Sequence, residues 1–260
     1  MLYCEERGCQ ASMMRTMQKT KRQILDYLKR TGGATVDDLA RALGLARITI
    51  RQHLMAMERD RLVNSREVRQ RAGRPHYLFT LAEAGQETFP KRYERLALML
   101  LEQVGSLSPQ ELEGLSPKEK RRLLLSRALE GEVRRYEGLV QGKELPERVE
   151  AVAQLLGQES GLAEWRRTEN GFEIIDYNCL YHQVAQAHEE VCEWHLALLS
   201  RVLGHPVRCS QFMSRGAESC RFIIDLTRTE GSSNKDVASK GKATGGQAHG
   251  RPEQGRGRRH

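Results

Sequence analysis

Between Lys19 and Gly85 the chain carries three closely spaced segments of helical periodicity, then two short strand-like runs around a basic turn, and few folds accept that order. Ile24, Leu25 and Leu28 recur at helical spacing until Gly32-Gly33 interrupts them. Thr35 stands three residues before Asp38, the pattern of a capping hydroxyl and its acid. The helix it opens turns Leu39, Ala40 and Leu43 inward and stops at Gly44. A third helix is expected over 47–61, where Ile50, Leu54 and Met57 share one face. Residues 62–69 and 76–81 read as strands flanking Arg71-Ala72-Gly73-Arg74-Pro75. Three helices and a basic hairpin make a winged helix-turn-helix.

In such a unit the second helix of the pair enters the major groove and the hairpin wing straddles the neighbouring backbone. Arg47, Thr49, Arg51 and Gln52 are the candidate groove contacts, and Arg66, Arg69, Arg71 and Arg74 line the wing. A charge run is more often a solvated face. Here, however, the arginines fall on the two elements that would meet DNA. His53, Met55 and Met57 read as packing against the helix pair. The chain has 42 Lys and Arg against 34 Asp and Glu, a balance that suits a polyanionic partner. Much of the excess sits in the last 33 residues, with eight basic side chains against three acids, so overall charge is weak evidence.

The expected class is α+β, divided into a disordered N-terminus (1–18), the winged helix-turn-helix (19–87), a helical linker and dimerisation region (88–160), a cysteine-rich sensor (161–227) and a disordered basic tail (228–260). Leu96, Leu98, Met99, Leu100 and Leu101 give the linker too much apolar surface for a lone exposed helix, so it is expected to pack on a second subunit. In the sensor, 162–167 and 172–177 bracket Thr168-Glu169-Asn170-Gly171, a tight-hairpin signal. A helical stretch over 180–203 and a last hairpin, 207–213 with 220–226, follow. The tail has too few apolar residues to order itself. No apolar run reaches the length of a membrane span, so a cytoplasmic protein is expected.

In a reducing compartment six cysteines are more naturally free thiols, metal ligands or redox sensors than disulfides. Cys4 and Cys9 precede Met13, Met14 and Met17, any of which can be the true start, and carry little weight. Cys179, Cys192, Cys209 and Cys220 are separated by twelve, sixteen and ten residues. Zinc ribbons use closer pairs, so a zinc knuckle is disfavoured, and a cluster whose irons each take a terminal ligand fits better. Four buried thiols acting as small apolar residues are the bland alternative. One unbroken helix would hold Cys179 and Cys192 roughly 20 Å apart. Either the helix breaks near Ala187-His188, or only some cysteines share a site. His188, Cys192 and His195 would share a helix face, which keeps a mixed His/Cys zinc site as the rival.

Asp176-Tyr177-Asn178-Cys179, then His188-Glu189-Glu190-Val191-Cys192, then Gly216-Ala217-Glu218-Ser219-Cys220-Arg221-Phe222, behind this winged helix, resemble the SufR-type iron-sulfur-sensing repressors over residues 19–226. The resemblance implies a DeoR/ArsR-like DNA-binding domain joined to a sensor with an oxygen-sensitive cluster. It also implies a homodimer on a double-stranded DNA operator of iron-sulfur assembly genes. Cys179, Cys192 and Cys220 match best. Cys209, on the first strand of the last hairpin, matches least, which leaves a non-cysteine fourth ligand open. Ala46, where such units often carry a capping Ser or Thr, is a minor departure.

These features point to a non-enzymatic DNA-binding regulator, most simply a repressor, holding a 4Fe-4S cluster, with a 2Fe-2S cluster or zinc as alternatives. A winged-helix regulator sensing zinc or thiol oxidation through the same cysteines is the second reading. An enzyme is the third, and no nucleophile-base pair, phosphate loop or paired carboxylates appear in the sequence.

Overall fold

The computed structural model describes residues 19–68 and 76–227, all within one compact unit. The expected disordered N-terminus, the wing residues Arg69, Arg71 and Arg74, and the basic tail lie outside the described residues.

Helix α1 (Lys19–Thr31) buries Ile24, Leu25 and Leu28 and ends in Gly32 at φ 70°. Helix α2 (Val36–Leu43) starts from a reciprocal cap. The Asp38 N–H donates to the Thr35 hydroxyl (3.2 Å) and the Thr35 N–H to the Asp38 carboxylate (3.0 Å). Gly44, left-handed at φ 66°, turns the chain into α3 (Arg47–Arg59), whose Ile50, Leu54 and Met57 are wholly buried. Helix α3 stops short of residue 61 because Arg61 takes φ 59°, sending the chain into strand β1 (Val63–Val68). Strand β2 (His76–Leu81) pairs with it antiparallel, Val63 opposite Leu81 and Val68 opposite His76. A two-bond bridge between Ala34 and Phe79 fastens the α1–α2 turn to the wing (2.9 Å each).

Short α4 (Glu83–Glu87) leads to α5 (Tyr93–Val104), α6 (Pro109–Leu112), α7 (Pro117–Val140) and α8 (Leu145–Ser160). Next come β3 (Ala163–Thr168), β4 (Gly171–Asp176), α9 (His182–Ala187), α10 (Glu190–Leu203), β5 (Val207–Gln211), a 3-10 turn (Met213–Arg215) and β6 (Cys220–Asp225). The four strands form one antiparallel sheet in the order β3-β4-β6-β5.

The segment expected as a linker is built into this second core. Leu125 and Val133 of α7, Val149 and Leu156 of α8, and Leu198 and Val202 of α10 are buried together with Phe172, Ile174 and Ile224 of the sheet. The amphipathic face that the sequence displays is covered from within the chain, except on α5, where Leu98, Leu101 and Val104 stay exposed. The first core reaches across as well, since Leu162, just before β3, is buried with Phe89 and the α1–α3 residues.

Two expected boundaries shift. Thr168 pairs with Gly171, so the hairpin turn is Glu169-Asn170 alone. Gly171 belongs to the strand, at φ 150°, because a Cβ there would stand 2.0 Å from the Ile224 carbonyl oxygen on β6. The 180–203 stretch is two helices, since His188 leaves helical geometry (φ −138°, ψ 94°) before α10 restarts at Glu190. Among the described residues no helix is long and apolar enough to cross a membrane.

Candidate functional site

The recognition surface starts from α3. With Ile50, Leu54 and Met57 turned inward, Arg47, Arg51 and Gln52 are exposed and Thr49 is half-buried. Arg47 is committed elsewhere in part: its guanidinium pairs with Asp37 at the start of α2 (2.8 Å). On the wing, Arg66 is exposed on β1, across from Leu78. Met55 does not pack against the helix pair as expected. It follows buried Leu54 and so projects outward, 70% exposed, in line with Ile48 at 64%. Sequence reasoning missed this apolar stripe beside Arg51, although the i, i+7 spacing of the two residues was available. Met57 is buried and His53 half-buried.

A second constellation lies at one corner of the sheet. Cys179 follows β4 by three residues, Cys192 sits in the first turn of α10, Cys209 lies in β5, and Cys220 opens β6 opposite Asp176. The 3-10 turn gathers two of them. The Met213 N–H donates to Cys220 Sγ (3.5 Å), and Cys192 Sγ lies 3.3 Å from Ser214 Oγ. The Cys209 thiol donates to Gln211 O (2.8 Å), and it lies near enough to Cys220 to influence its titration. Cys179 acts electrostatically on Cys220, Cys192 on Cys179, and Cys209 on Cys192, which closes the circuit. All four are free and half-buried. Among the described residues, no group of three or more His, Cys, Asp or Glu is drawn tightly enough to hold a single metal ion.

Burial governs the state of these sulfurs. It pushes the Cys179 thiol up to about 12 and raises that of Cys192. Cys220 is raised first by its contact with Cys209 and then by burial, and the same contact lowers Cys209. Without a metal, three of the four are therefore held as thiols at neutral pH. The rival His188, Cys192 and His195 group does not share a helix face, because His188 lies outside α10. The His195 ring packs edge-on against Phe222 (5.3 Å).

The two surfaces are physically joined. The Glu218 carboxylate, two residues before Cys220, lies over Gly32 at the end of α1, where its Oε1 is 1.7 Å from the position a Cβ would take. Asn178, next to Cys179, donates from its amide to Pro90 O and Ser160 O (2.9 Å each) and accepts from Lys91 Nζ (3.1 Å). Asp176, wholly buried, accepts from Ser160 Oγ (2.9 Å) and the Asn178 N–H (3.1 Å). Burial pushes its carboxyl up to about 7.

No curated protein matches the chain. Three solved structures are similar over part of it. RV1404 of Mycobacterium tuberculosis is 16% identical over 41% of this chain and 71% of that one, with a TM-score of 0.27. ZitR of Lactococcus lactis in apo form is 18% identical over 41% and 80%, with a TM-score of 0.24. PadR of Bacillus subtilis in complex with operator DNA is 23% identical over 49% and 80%, with a TM-score of 0.25. Residues 17–64 match the family described as winged helix-turn-helix DNA-binding, so the N-terminal part of this chain is a winged helix-turn-helix DNA-binding domain.

Proposed function

We propose that the chain is a homodimeric winged-helix transcription regulator whose cysteine corner holds an iron-sulfur cluster, and whose grip on DNA changes when the cluster is lost. The observation that carries this reading is the approach of Cys192 and Cys220, from α10 and β6, to the turn Met213–Arg215, with free Cys209 on the neighbouring strand β5 and free Cys179 just beyond β4. Thiols supplied by widely separated stretches of sequence, without a close Cys pair, suit a cluster whose irons each take a terminal ligand better than a zinc knuckle. When bound, the cluster supplies an oxygen-sensitive group whose irons take terminal thiolates. The desolvation that now keeps Cys179 and Cys192 protonated is what a metal's positive charge offsets.

The chain's own residues supply the coupling. The Cys220 loop rests on Gly32 through Glu218, and Asn178 clamps Pro90 and Lys91 just after Phe89 of the first core. A rearrangement at Cys179 or Cys220 therefore acts on the elements that set α1 and, through the Ala34–Phe79 bridge, the wing. Leu98, Leu101 and Val104 on α5 offer an apolar face for a second copy. By the resemblance to SufR-type regulators, the targets are iron-sulfur assembly genes and the action is repression.

The test is purification without oxygen, followed by absorption spectroscopy and assays for iron and acid-labile sulfide. Brown protein with both, lost in Cys179→Ser, Cys192→Ser and Cys220→Ser, is expected, with a milder loss in Cys209→Ser. Colourless protein devoid of iron would overturn the cluster. The Cys209–Cys220 contact favours one second reading, a zinc or thiol-oxidation sensor. Bound zinc, or a disulfide formed by peroxide, would then be found instead.

A further inference from the structure

Between the first core and the cysteine corner lies a cavity of about 260 Å³ lined by Leu28, Lys29, Gln86, His182, Met213 and Glu218, among others. It touches α1, α4, α9 and the loop that leads to Cys220. Lys29 is only 5% exposed, and its ammonium donates to the Gln86 side-chain oxygen. Across the lining, His182 Nδ1 is buried without a hydrogen-bond partner. Lys91, also largely buried, donates to Gln86 O (3.0 Å) and Asn178 Oδ1 (3.1 Å).

Three buried carboxylates of this chain are matched with opposite charge. Glu173 takes Arg166 (2.5 Å) and Arg221 (3.2 Å), Glu190 takes Arg121 (2.8 Å), and Glu159 takes Arg95 and Arg135 (3.2 Å each). Lys29 and Lys91 break the pattern, since each hydrogen-bonds only neutral oxygens among the described residues. The acids around them are otherwise engaged. Asp176 is held by Ser160 and Asn178, Glu87 is exposed, and Glu218 is exposed and lies over Gly32. A buried cation with no carboxylate hydrogen-bonded to it is costly. Asp176 and Glu87 attract both ammoniums through space without a hydrogen bond to either, while the two ammoniums repel each other and disfavour charge on His182.

We propose that this cavity binds a small oxyanion, the carboxylate or phosphate of a metabolite, with Lys29 as its counter-ion and the His182 side chain as part of its wall. Such a ligand would bridge α1 of the DNA-binding domain to α9 and the Cys220 loop, so it would act as an effector whether or not the cysteines carry a cluster. Its body would lie against Leu28 and Met213, which makes the site selective for small anions with some apolar surface.

The experiment is isothermal titration of the full chain with malonate and, separately, inorganic phosphate, at constant ionic strength balanced by chloride. Saturable binding of at least one anion is expected, weakened tenfold or more in Lys29→Met and unchanged in Lys118→Met on the exposed start of α7. Binding of malonate alone points to a carboxylate metabolite, and of phosphate alone to a phosphate ester. If Lys29→Met does not fold by circular dichroism, His182→Phe, which adds bulk to the cavity wall, serves in its place and should weaken binding by the same factor. Absence of saturable binding to both anions, or binding unchanged in the variant that folds, overturns the proposal. Neither outcome depends on cluster content or DNA binding.

Discussion

The recognition helix and the cysteine corner are built in opposite ways. On α3 the functional side chains belong to one helix, so a local repeat decides which face is buried and which is offered to DNA. At the corner, each cysteine comes from a different element, and their meeting depends on a helix break at His188, a sheet register that sets Cys220 opposite Asp176, and a three-residue turn. A surface made by one element survives small shifts of its neighbours. A site made by four does not, which is the contrast that the proposed sensing and reading roles would exploit.

The largest effect expected from this contrast is on stability. Leu54→Ala, which empties the wholly buried centre of the first core, should cost about 3 kcal/mol in urea unfolding. Because Leu162 and Asn178 tie the two cores together, the loss should appear as a single transition. Two separate transitions would break the comparison by showing two independent units.

Next comes DNA. Arg51→Ala and Arg66→Ala should each weaken binding about tenfold. If each touches a phosphate, the slope of log K against log salt should flatten by about 0.9. Arg47→Ala should do less, because its pairing with Asp37 is lost at the same time. None of the three should alter iron content. Equal affinities and slopes in Arg51→Ala, Arg66→Ala and the parent would remove α3 and the wing from the interface.

The corner should answer to pH where the recognition surface does not. Burial lowers His195 to about 4 from an ordinary value of 6.5, so the fold requires its neutral form. The stability this contributes is present above pH 6.5 and is lost as pH falls from there towards 4. The residue keeps partial solvent contact, so the change in metal-free protein is about 1 kcal/mol. His195→Phe should flatten that fall in thermal melts, and an unchanged pH profile would contradict the buried neutral ring.

The smallest effect concerns the exposed Ile48 and Met55. On a duplex selected from a random library, replacing a contacted thymine by uracil, which lacks the C5 methyl, should cost about 0.5 kcal/mol. That cost should vanish in a doubly substituted Ile48→Ala, Met55→Ala protein. A uracil penalty that persists would place the methyl contacts on other residues.

The sequence made the first of these regions legible and the second only in outline. The Thr35 and Asp38 cap, the Gly44 turn and the inward trio of α3 are local signals, and the structure contains them. The distance that one helix would impose between Cys179 and Cys192 left a break near His188 as one of two alternatives, and the structure contains that break. By contrast, the apolar surface of the region 88–160 was expected to pack on a second subunit, whereas most of it is buried against β3, β4 and α10 of the same chain. A lysine is seldom buried, and no local signal sets Lys29 apart from the other lysines of α1. Yet it lies four residues after Leu25 and one after Leu28, on the edge of the buried face, and burial there is what makes its missing carboxylate matter.

The central claim is that the corner governs the reading helix, and one measurement addresses it directly. Anaerobically purified protein, on a duplex selected from a random library, is titrated before and after the iron is removed with a chelator. We expect the dissociation constants to differ tenfold or more, with Cys220→Ser fixed at the iron-free value throughout. Iron-containing and iron-free protein that bind the same duplex with equal affinity would contradict it.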